Sequence, residues 1–382
     1  MVIYPDRRGE IDLGAGAGAI VVISSRVSES AVLIVGFRNP SDICNCLTAL
    51  SKASAEAQFD IFICENGGAA AYRNLIRDLI GVDGPCEPGA RSDEDADRSG
   101  FTELECLGLR GKSSRVWIAC APENLGYAGG INAWLRPLLR TAGWKGVWIL
   151  NPDAEPYPDA LKELIGRAIA GNKAMVGSTI LEEGQTDVIR FRGGLRWERF
   201  TARSVAIGFG DPLQSPYDLS AIEASMDSPS GASMYVTRAC VEKIGLPDAS
   251  YFLFFEDLDW GVKAKPLGLG YAAASIVAHK RGTTTGSTAR AGTPSRLSVY
   301  LLHRNAIHFV RRYFPWTVPL RVCVSLLYAF RFLLRGAPQS SAAVLEGIFA
   351  GLRGEVGRPA WHRDQPPIMA LGKPVAEDQW VV

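Results

Sequence analysis

Short, predominantly apolar runs alternate with segments of helical periodicity through the first 150 residues of the chain. The runs cover residues 31–36, 59–64, 115–119 and 146–150. Apolar runs of this length predict strands that are buried on both faces of a parallel sheet. The helical segments between them predict right-handed crossovers. We therefore expect an α/β fold with a mostly parallel central sheet flanked by helices.

The composition argues against two broad classes of protein. The chain has 382 residues, with 41 lysines and arginines and 40 aspartates and glutamates, so its formal net charge is +1. No overall basic field points to nucleic acid, and no acidic excess points to a disordered chain. The eight cysteines are scattered, and Cys44 and Cys46 would point to different faces of a helix, so we expect buried thiols and no metal knuckle. Without a recognisable leader segment, a reducing, cytoplasmic location is expected.

Interruptions of the strand–helix pattern suggest how the chain is divided. Residues 1–30 form a lead-in whose glycine-rich stretch lacks the spacing of a dinucleotide-binding loop. Residues 82–103 are rich in Gly, Pro and charged side chains and predict a surface insertion. The main domain is expected over residues 31–310, and a helical extension and tail over residues 311–382. Residues 208–227 predict a long loop that is a candidate lid.

Polar side chains follow the predicted strands. They are Arg38, Asn39, Glu65, Asn66, Asn124, Asn151 and Asp153. In open parallel sheets ligands bind at the carboxyl ends of strands, so one ligand could contact all of these groups. Gly126, Gly129 and Gly130 would let the backbone approach that ligand, and a helix beginning there would offer N–H groups to phosphate oxygens. A simple turn for the glycines and a helix cap for Asp153 are the alternatives.

A second candidate site lies at residues 251–260, where five apolar, mostly aromatic residues run into Glu256, Asp257 and Asp259. Burial and mutual repulsion raise carboxyl pKa values, so such a cluster needs a cation, a donor network or a proton-transfer function. A helix that begins near Glu256 would place Glu256 and Asp259 on one face and Asp257 on another. The three acids would then have different neighbours and different functions. The alternative is that all three only occupy a helix N-terminus.

Seven motifs occur in the order typical of one enzyme family. They are residues 35–39, 63–68, 124–132, 150–154, 230–234 and 254–259, and His279. In this order the chain resembles the GT-A glycosyltransferases of family 2, and most of all their rhamnosyltransferase-like members. The resemblance covers roughly residues 31–310. It implies a GT-A fold, with a Rossmann-like nucleotide-binding half and an acceptor half.

The resemblance also implies functions for individual residues. Asp257 would be the general base with Glu256 beside it, and Asp153 and His279 would hold Mg²⁺ or Mn²⁺ at the donor diphosphate. The positions implied to bind the nucleotide sugar are Phe37, Arg38, Asn39, Glu65, Asn66, Asn124, Gly126, Gly129, Gly130, Asn132, Asn151, Asp153, Gly231, Ala232 and Arg304. The sequence departs from the family in two places: Glu65 stands where the family usually has Asp, and Asn151 leaves one carboxylate in the metal motif.

The activity implied is metal-dependent, inverting transfer of a sugar from a nucleotide-diphospho-sugar to a hydroxyl of a glycan or lipid-linked acceptor. The resemblance favours rhamnose as the sugar, a dTDP- or UDP-sugar as donor, and polysaccharide biosynthesis for the cell envelope. One alternative is a catalytically silent relative that acts as a binding or assembly protein. Another is a sugar-1-phosphate nucleotidyltransferase, but residues 36–39 are too short for the basic, glycine-rich loop that it needs.

Residues 311–335 mix aromatic, aliphatic and arginine side chains. Such a segment is compatible with peripheral docking at the inner face of a membrane, with packing on the catalytic domain, or with a homo-oligomer contact. Arg321 and Arg331 interrupt its longest apolar run, which disfavours a helix that crosses the membrane.

Overall fold

The computed structural model describes residues 27–89, 100–182, 184–280 and 294–362, which form a large mixed sheet flanked by helices. Most of the lead-in, the middle of the predicted insertion and the polar run after Lys280 lie outside these residues. The α/β class predicted from the sequence is confirmed.

The strands are β1 (Ser30–Gly36), β2 (Phe59–Glu65), β3 (Cys86–Pro88), β4 (Glu103–Leu109), β5 (Arg115–Cys120), β6 (Gly146–Leu150), β7 (Ala154–Pro156), β8 (Met175–Glu182), β9 (Gln185–Arg192), β10 (Gly194–Glu198), β11 (Arg203–Ala206), β12 (Ser228–Pro229), β13 (Ser233–Thr237) and β14 (Leu269–His279). The α-helices are α1 (Pro40–Leu50), α2 (Ala69–Leu79), α3 (Gly126–Leu139), α4 (Ala160–Ala170), α5 (Leu219–Ser225), α6 (Arg238–Ile244), α7 (Glu256–Ala264), α8 (Arg296–Tyr313), α9 (Val318–Leu334) and α10 (Pro338–Arg353).

The central sheet is parallel in its middle, over β5, β2, β1 and β6, and mixed toward both edges. Its order is β3-β4-β5-β2-β1-β6-β13-β8-β14-β7, and β9 pairs with β8. Strands β5, β2, β1 and β6 run parallel, as the apolar runs predicted. Strand β13 lies between β6 and β8 and is antiparallel to both. The predicted parallel arrangement therefore ends at β13. The chain enters β13 at the edge of the sheet where β6 ends, so this strand runs in the opposite direction.

The alternation of side chains explains why the first strands are apolar throughout. In β1, Val32 and Ile34 pack in the cluster that contains α1 and α2. Their neighbours Leu33 and Val35 pack in the cluster on the other side of the sheet, with Trp134 of α3. Helices cover both faces, so both sets of side chains are buried.

Two expectations about irregular segments are corrected. The predicted 82–103 insertion contributes β3, which pairs antiparallel with β4 and extends the sheet at its edge. A three-residue strand that contains Glu and Pro gives no periodic signal, so the sequence could not reveal it. The predicted 208–227 loop contains α5, which Asp218 caps by accepting a hydrogen bond from Ala221 N.

The C-terminal helices are continuous with the main domain. The predicted boundary after residue 310 falls inside α8. Gly347 and Gly351 of α10 let that helix approach α8, since a Cβ at Gly351 would lie 2.8 Å from Ile307 Cβ. The hydrophobic cluster that contains Ile307 of α8 and Ile348 of α10 also includes Phe252, which lies in the turn before Glu256. The extension therefore packs against the segment that carries the candidate catalytic acids.

Candidate active site

The ends of several strands meet at one edge of the sheet. Gly36 at the end of β1 lies in register with Glu65 at the end of β2. Leu150 at the end of β6 lies in register with Ser233 at the start of β13. Because β13 is antiparallel, its first residues and the preceding Gly231 lie at the same edge as the ends of its neighbours.

Glu65 is a buried carboxyl group held by the turn around it. Its Oε1 accepts hydrogen bonds from Arg38 N (3.0 Å) and Gly67 N (2.7 Å). Burial raises the pKa of Glu65, and these two hydrogen bonds oppose the rise. Arg38 has a φ of +57° and its guanidinium lies 5.2 Å from the ring centroid of Phe37. The carboxyl group of Glu65 therefore helps to shape the turn that presents Phe37 and Arg38.

Three asparagines at this edge fix turns or helix positions. Asn39 Oδ1 accepts from Phe37 N at 3.0 Å. Asn66 Nδ2 donates to Gly126 O at 3.0 Å, and Asn66 Oδ1 accepts from Leu125 N at 3.3 Å. Asn132 is buried, and its Nδ2 donates to Pro247 O at 2.8 Å. These contacts give the three amides positioning functions within the protein.

The N-terminus of α3 differs from the sequence expectation. Its first N–H groups are engaged within the protein: Gly126 N donates to Asn124 Oδ1, and Tyr127 N donates to Phe252 O. Gly126 has a φ of +73°, and a Cβ there would lie 2.2 Å from Phe252 O. The expected approach to phosphate is thus replaced by a close approach to the turn before α7.

The other two glycines of this helix also serve packing. A Cβ at Gly130 would lie 2.7 Å from Val35 Cγ1, and one at Gly129 would lie 2.9 Å from Leu125 Cβ. Gly130 therefore lets α3 approach β1. The alternative that these two glycines end a turn is not what the structure has, because both lie inside α3.

Asp153 and His279 form the centre of a second polar cluster. His279 Nε2 lies 3.1 Å from Asp153 Oδ1 and 3.0 Å from Asn151 Nδ2. Arg190 of β9 approaches the other ring nitrogen, with its Nη1 3.4 Å from His279 Nδ1. Strand pairing explains the meeting, because His279 at the end of β14 lies in register with Ala154 of β7.

The pair of Asp153 and His279 fits two ligands of one divalent cation. Ligands at right angles, each about 2.1 Å from an octahedral Mg²⁺, lie about 3 Å apart. The observed separation of 3.1 Å matches that spacing. Within the described part of the chain, no group of three or more His, Cys, Asp or Glu side chains is placed to hold a metal. The remaining ligands would be water and substrate phosphate oxygens, as is usual for Mg²⁺.

Asp257 and Glu256 have different surroundings at the start of α7. Asp257 Oδ2 accepts from Gly231 N (3.0 Å) and Oδ1 accepts from Leu258 N (2.8 Å). Glu256 is buried, and its Oε2 has no hydrogen-bond partner among the described residues. Burial and the neighbouring Asp257 raise the pKa of Glu256 to about 8, and burial also raises the pKa of Asp257.

Asp259 belongs to a separate ionic cluster. Its carboxylate lies 2.6 Å from Lys263 Nζ and 3.0 Å from Arg312 Nη1, and it accepts from Tyr313 Oη at 2.8 Å. Asp259 therefore joins α7 to α8. The three acids therefore have different neighbours, although the acid whose charge acts on Glu256 is Asp257 and not Asp259, with which it was expected to share a helix face.

The turn before α7 is strained. Phe252, Phe254 and Phe255 have φ values of +66°, +69° and +74°, which bulky residues rarely adopt. Asn305 of α8 holds the turn, because its Nδ2 lies 3.0, 2.8 and 2.9 Å from the carbonyl oxygens of residues 251, 253 and 254. Strain of this kind persists where the surrounding structure fixes the backbone, and it clusters at functional sites.

Arg304 also supports this turn. It is 1% exposed, and its guanidinium donates to Tyr251 O (3.0 Å), Gly357 O (2.6 Å) and Asn305 Oδ1 (2.9 Å). Its five donors are therefore largely engaged by the protein. We correct the expectation that Arg304 contacts the donor and assign it a positioning function.

The aromatic residues before Glu256 are mostly core residues. Tyr251, Phe252 and Phe255 are buried, and Phe255 packs with Trp197 and Phe309. The expectation that this stretch forms one wall of an acceptor pocket is therefore too broad, since Leu253 and Phe254 are the members that retain exposure.

A chain of polar contacts joins the two acidic centres. Tyr127 Oη lies 2.7 Å from Asn151 Oδ1 and 3.0 Å from Gly231 O, so its proton is shared between them. Gly231 N in turn donates to Asp257, while Asn151 contacts His279. Ala232 O accepts from Asn151 N. The sequence analysis quoted Tyr127 within a motif but assigned it no function, and nothing in the sequence pointed to Arg190.

The fold and the site define an α/β protein with a polar site at the carboxyl edge of its parallel strands, beside an acidic turn. No family model matches the chain. The chain is 22% identical over 242 residues to the low-salt glycan biosynthesis hexosyltransferase Agl10 of Haloferax volcanii, which covers 62% of this chain and 75% of that protein.

Two solved structures resemble the fold at low sequence identity. One is S. aureus TarS 1-349 in complex with UDP-GlcNAc, with a TM-score of 0.44, 10% identity and coverage of 86% of this chain and 92% of that one. The other is the mannosyltransferase PcManGT from Pyrobaculum calidifontis in complex with GDP-Man and Mn²⁺, with a TM-score of 0.44, 11% identity and coverage of 89% and 92%. At these scores neither likeness decides the function of this chain.

Proposed function

We propose that this protein is a glycosyltransferase that moves a sugar from a nucleotide-diphospho-sugar to an acceptor hydroxyl. The observation that carries the proposal is the polar chain that joins Asp257, through Gly231, Tyr127 and Asn151, to the pair of Asp153 and His279. It supports a proposed base at Asp257 and a proposed diphosphate site at Asp153 and His279 that lie near each other. The sequence similarity to a hexosyltransferase supports the same class.

The donor nucleotide is proposed to lie over the ends of β1 and β2. Phe37 and Arg38 form a partly exposed pair there, and an aromatic ring with a guanidinium suits stacking on a base. Glu65 uses Oε1 for the turn, so its Oε2 remains as an acceptor for ribose hydroxyls. Asn66 and Asn124 hold the adjacent backbone in place.

Asp153 and His279 are the residues that would hold Mg²⁺ or Mn²⁺. When bound, the cation would neutralise charge on the departing diphosphate. Arg190 adds a fixed positive charge beside His279. Asn151 contributes an amide in place of a second carboxylate, and it orients His279.

Asp257 is proposed to accept the proton of the acceptor hydroxyl as that oxygen attacks the anomeric carbon. The bond to the nucleoside diphosphate breaks in the same displacement, so the configuration inverts. Two backbone N–H groups fix the carboxylate of Asp257 and stabilise its ionised form. Glu256, with its pKa at about 8, is largely protonated near neutral pH and adds little repulsion to the charge of Asp257.

Donor and acceptor identities are further proposals. Rhamnose as the sugar and a dTDP- or UDP-linked donor rest on the family resemblance alone. A glycan or lipid-linked hydroxyl is proposed as the acceptor, and polysaccharide biosynthesis for the cell envelope as the setting.

The test is release of nucleoside diphosphate from a panel of sugar nucleotides, with and without Mg²⁺ or Mn²⁺. We expect release from at least one sugar nucleotide, and its loss on chelation. Release of pyrophosphate from a nucleoside triphosphate and a sugar 1-phosphate would indicate a nucleotidyltransferase. Binding of donors without any turnover would indicate a catalytically silent protein.

Asp257→Asn should lower turnover by at least about a hundredfold, the usual size of a general-base contribution. Asp159→Asn is the matched control, because Asp159 is exposed before α4 and its side chain makes no capping bond. Both variants should keep the melting temperature of the wild type to within a few degrees. Turnover by folded Asp257→Asn that equals the wild-type rate would rule out Asp257 as the base.

A further inference from the structure

Helix α9 buries two polar side chains and exposes several large apolar ones. Its buried face contains Arg321 and Ser325. Arg321 Nη1 donates to Ala202 O at 2.9 Å, and Ser325 Oγ lies 2.9 Å from His303 Nδ1. The opposite face presents leucines and a phenylalanine, where a water-soluble surface helix would place polar side chains.

We call the exposed large apolar side chains of α9 and α10 the α9–α10 apolar face. It consists of Leu326, Leu327, Phe330, Leu333, Leu334, Leu345, Phe349 and Leu352. Of the seventeen exposed large hydrophobic residues in the described parts of the chain, ten lie between residues 316 and 356. An apolar concentration of this kind marks an interaction surface.

The charge of residues 311–362 indicates which kind of partner would bind the α9–α10 apolar face. Residues 311–362 contain seven arginines, no lysine and two glutamates, for a formal charge of +5. Two of these arginines do not contribute to the surface charge, because Arg321 is buried and Arg312 is paired with Asp248 and Asp259. Because the whole chain carries +1, the remaining residues carry −4. A second copy that met this surface through its own equivalent face would bring like charges together. An anionic surface would complement them.

The packing of α9 also decides how it would meet a membrane. Among the described residues, one helical stretch, Pro315–Leu334, is long and apolar enough by length and composition to cross a bilayer. However, Arg321, Ser325, Ala329 and Phe332 are buried against the rest of the protein. Lipid could not surround this helix while those contacts are kept, so the structure favours an orientation in the plane of the interface.

We propose that the α9–α10 apolar face docks on the surface of an anionic lipid bilayer without crossing it. This proposal is independent of the proposed reaction, because it rests on the surfaces of α9 and α10. Docking would fix the catalytic domain at the membrane, since Asn305 of α8 holds the acidic turn and Arg321 of α9 holds Ala202. A hydroxyl acceptor on a lipid carrier would then lie in the same interface.

The test is flotation of the full chain with two kinds of vesicle. One is phosphatidylcholine alone, and the other is two parts phosphatidylcholine to one part phosphatidylglycerol. We expect binding to the anionic vesicles at least about tenfold tighter than to the neutral ones, and weakened by salt. The combined variant Leu327→Glu, Phe330→Glu and Leu334→Glu should bind anionic vesicles at least about tenfold more weakly than the wild type.

The matched control places three glutamates at exposed apolar positions elsewhere, Val82→Glu, Tyr157→Glu and Ile169→Glu. These positions are 96%, 42% and 76% exposed, against 68%, 59% and 72% for Leu327, Phe330 and Leu334. Both triple variants add the same charge and should keep the melting temperature of the wild type. A control variant that binds anionic vesicles like the wild type supports docking through α9 and α10.

Three results would overturn the proposal. One is a wild-type protein that floats with neither kind of vesicle. Another is equal loss of binding in the two triple variants, which would show a general effect of charge. The third is a wild-type dimer in light scattering that becomes a monomer in the α9 variant, without vesicle binding by either. That result would assign the face to self-association.

Discussion

Glu256 and Asp257 are adjacent carboxyl groups whose environments differ because α7 begins at Glu256. The side chain of Glu256 turns into the protein, and that of Asp257 turns toward Gly231 N. Burial raises the pKa of both carboxyl groups, but in Asp257 the hydrogen bonds from Gly231 N and Leu258 N oppose this rise and favour the ionised form. A protonated Glu256 beside an ionised Asp257 is the arrangement that the proposed base requires.

Glu256→Gln should stabilise the fold at alkaline pH. The pKa of Glu256 rises from 4.5 to about 8 on folding, so the wild-type fold loses stability as pH rises between these values. Glutamine does not ionise, and it should raise the melting temperature by at least about 2 °C at pH 9 and by little at pH 5. Thermal unfolding across this pH range measures the difference.

Glu123→Gln is the control for that measurement, because Glu123 is exposed. Its melting temperature should follow the wild type at every pH. A Glu256→Gln variant whose melting temperature also follows the wild type would contradict the burial argument. If Asp257 is the base, the acid limb of the rate profile should persist in Glu256→Gln.

The turn over residues 251–255 connects three elements. Tyr127 N of α3 donates to Phe252 O, Asn305 of α8 contacts three carbonyl oxygens, and α7 follows directly. The turn is strained, so its position depends on these contacts. Gly126 leaves the space in which α3 approaches it.

Gly126→Ala should lower both stability and turnover. The new Cβ would lie 2.2 Å from Phe252 O and would displace the turn. Gly111→Ala measures the cost of the left-handed backbone conformation alone, because Gly111 has the same φ of +73° and no atom within 4 Å of the added Cβ. We expect Gly111→Ala to cost about 1 kcal/mol with normal turnover, and Gly126→Ala to cost more and to lose at least about tenfold in turnover. If the two variants lost equal free energy of unfolding in denaturant and equal turnover, the close contact between Gly126 and Phe252 would not be important.

At the scale of the whole molecule, the C-terminal helices and the main domain share one core. Val299, Leu301 and Ile307 of α8 are buried in the cluster that contains Phe252 and residues of α9 and α10. The extension therefore cannot be treated as a removable membrane anchor. Its inner face stabilises the acidic turn, and its outer face is the proposed docking surface.

Deletion of residues 314–382 should destabilise the main domain. It would expose Val299, Leu301 and Ile307, whose burial together contributes about 5 kcal/mol or more. We expect insoluble protein or a fall in melting temperature of at least about 10 °C. A chain that ends at His362 keeps every described contact and is the control. A stable, active chain without residues 314–382 would show that α8 does not need its partners.

Much of the fold could be predicted because its signals are local. The apolar runs at residues 31–36, 59–64, 115–119 and 146–150 coincide with β1, β2, β5 and β6 to within a residue. Side chains of these strands are buried on both faces, so each strand appears in the sequence as a continuous run of apolar residues. The start of α7 and the separation of Asp257 from Asp259 follow from helical geometry in the same way.

The sequence by itself thus determined the four parallel strands β1, β2, β5 and β6, the start of α7 and the set of polar residues at the strand ends. Only the tertiary structure decided which polar groups meet, because their partners are far apart in the chain: Asn151 and His279 are separated by 128 positions. In the tertiary structure the first N–H groups of α3 also donate to acceptors within the protein, and Arg304 donates to a carbonyl oxygen of the acidic turn. Hydrogen bonds depend on position in space and not on spacing along the chain. Burial in α9 also depends on position in space, since Arg321 is buried while Leu327 and Leu334 are exposed.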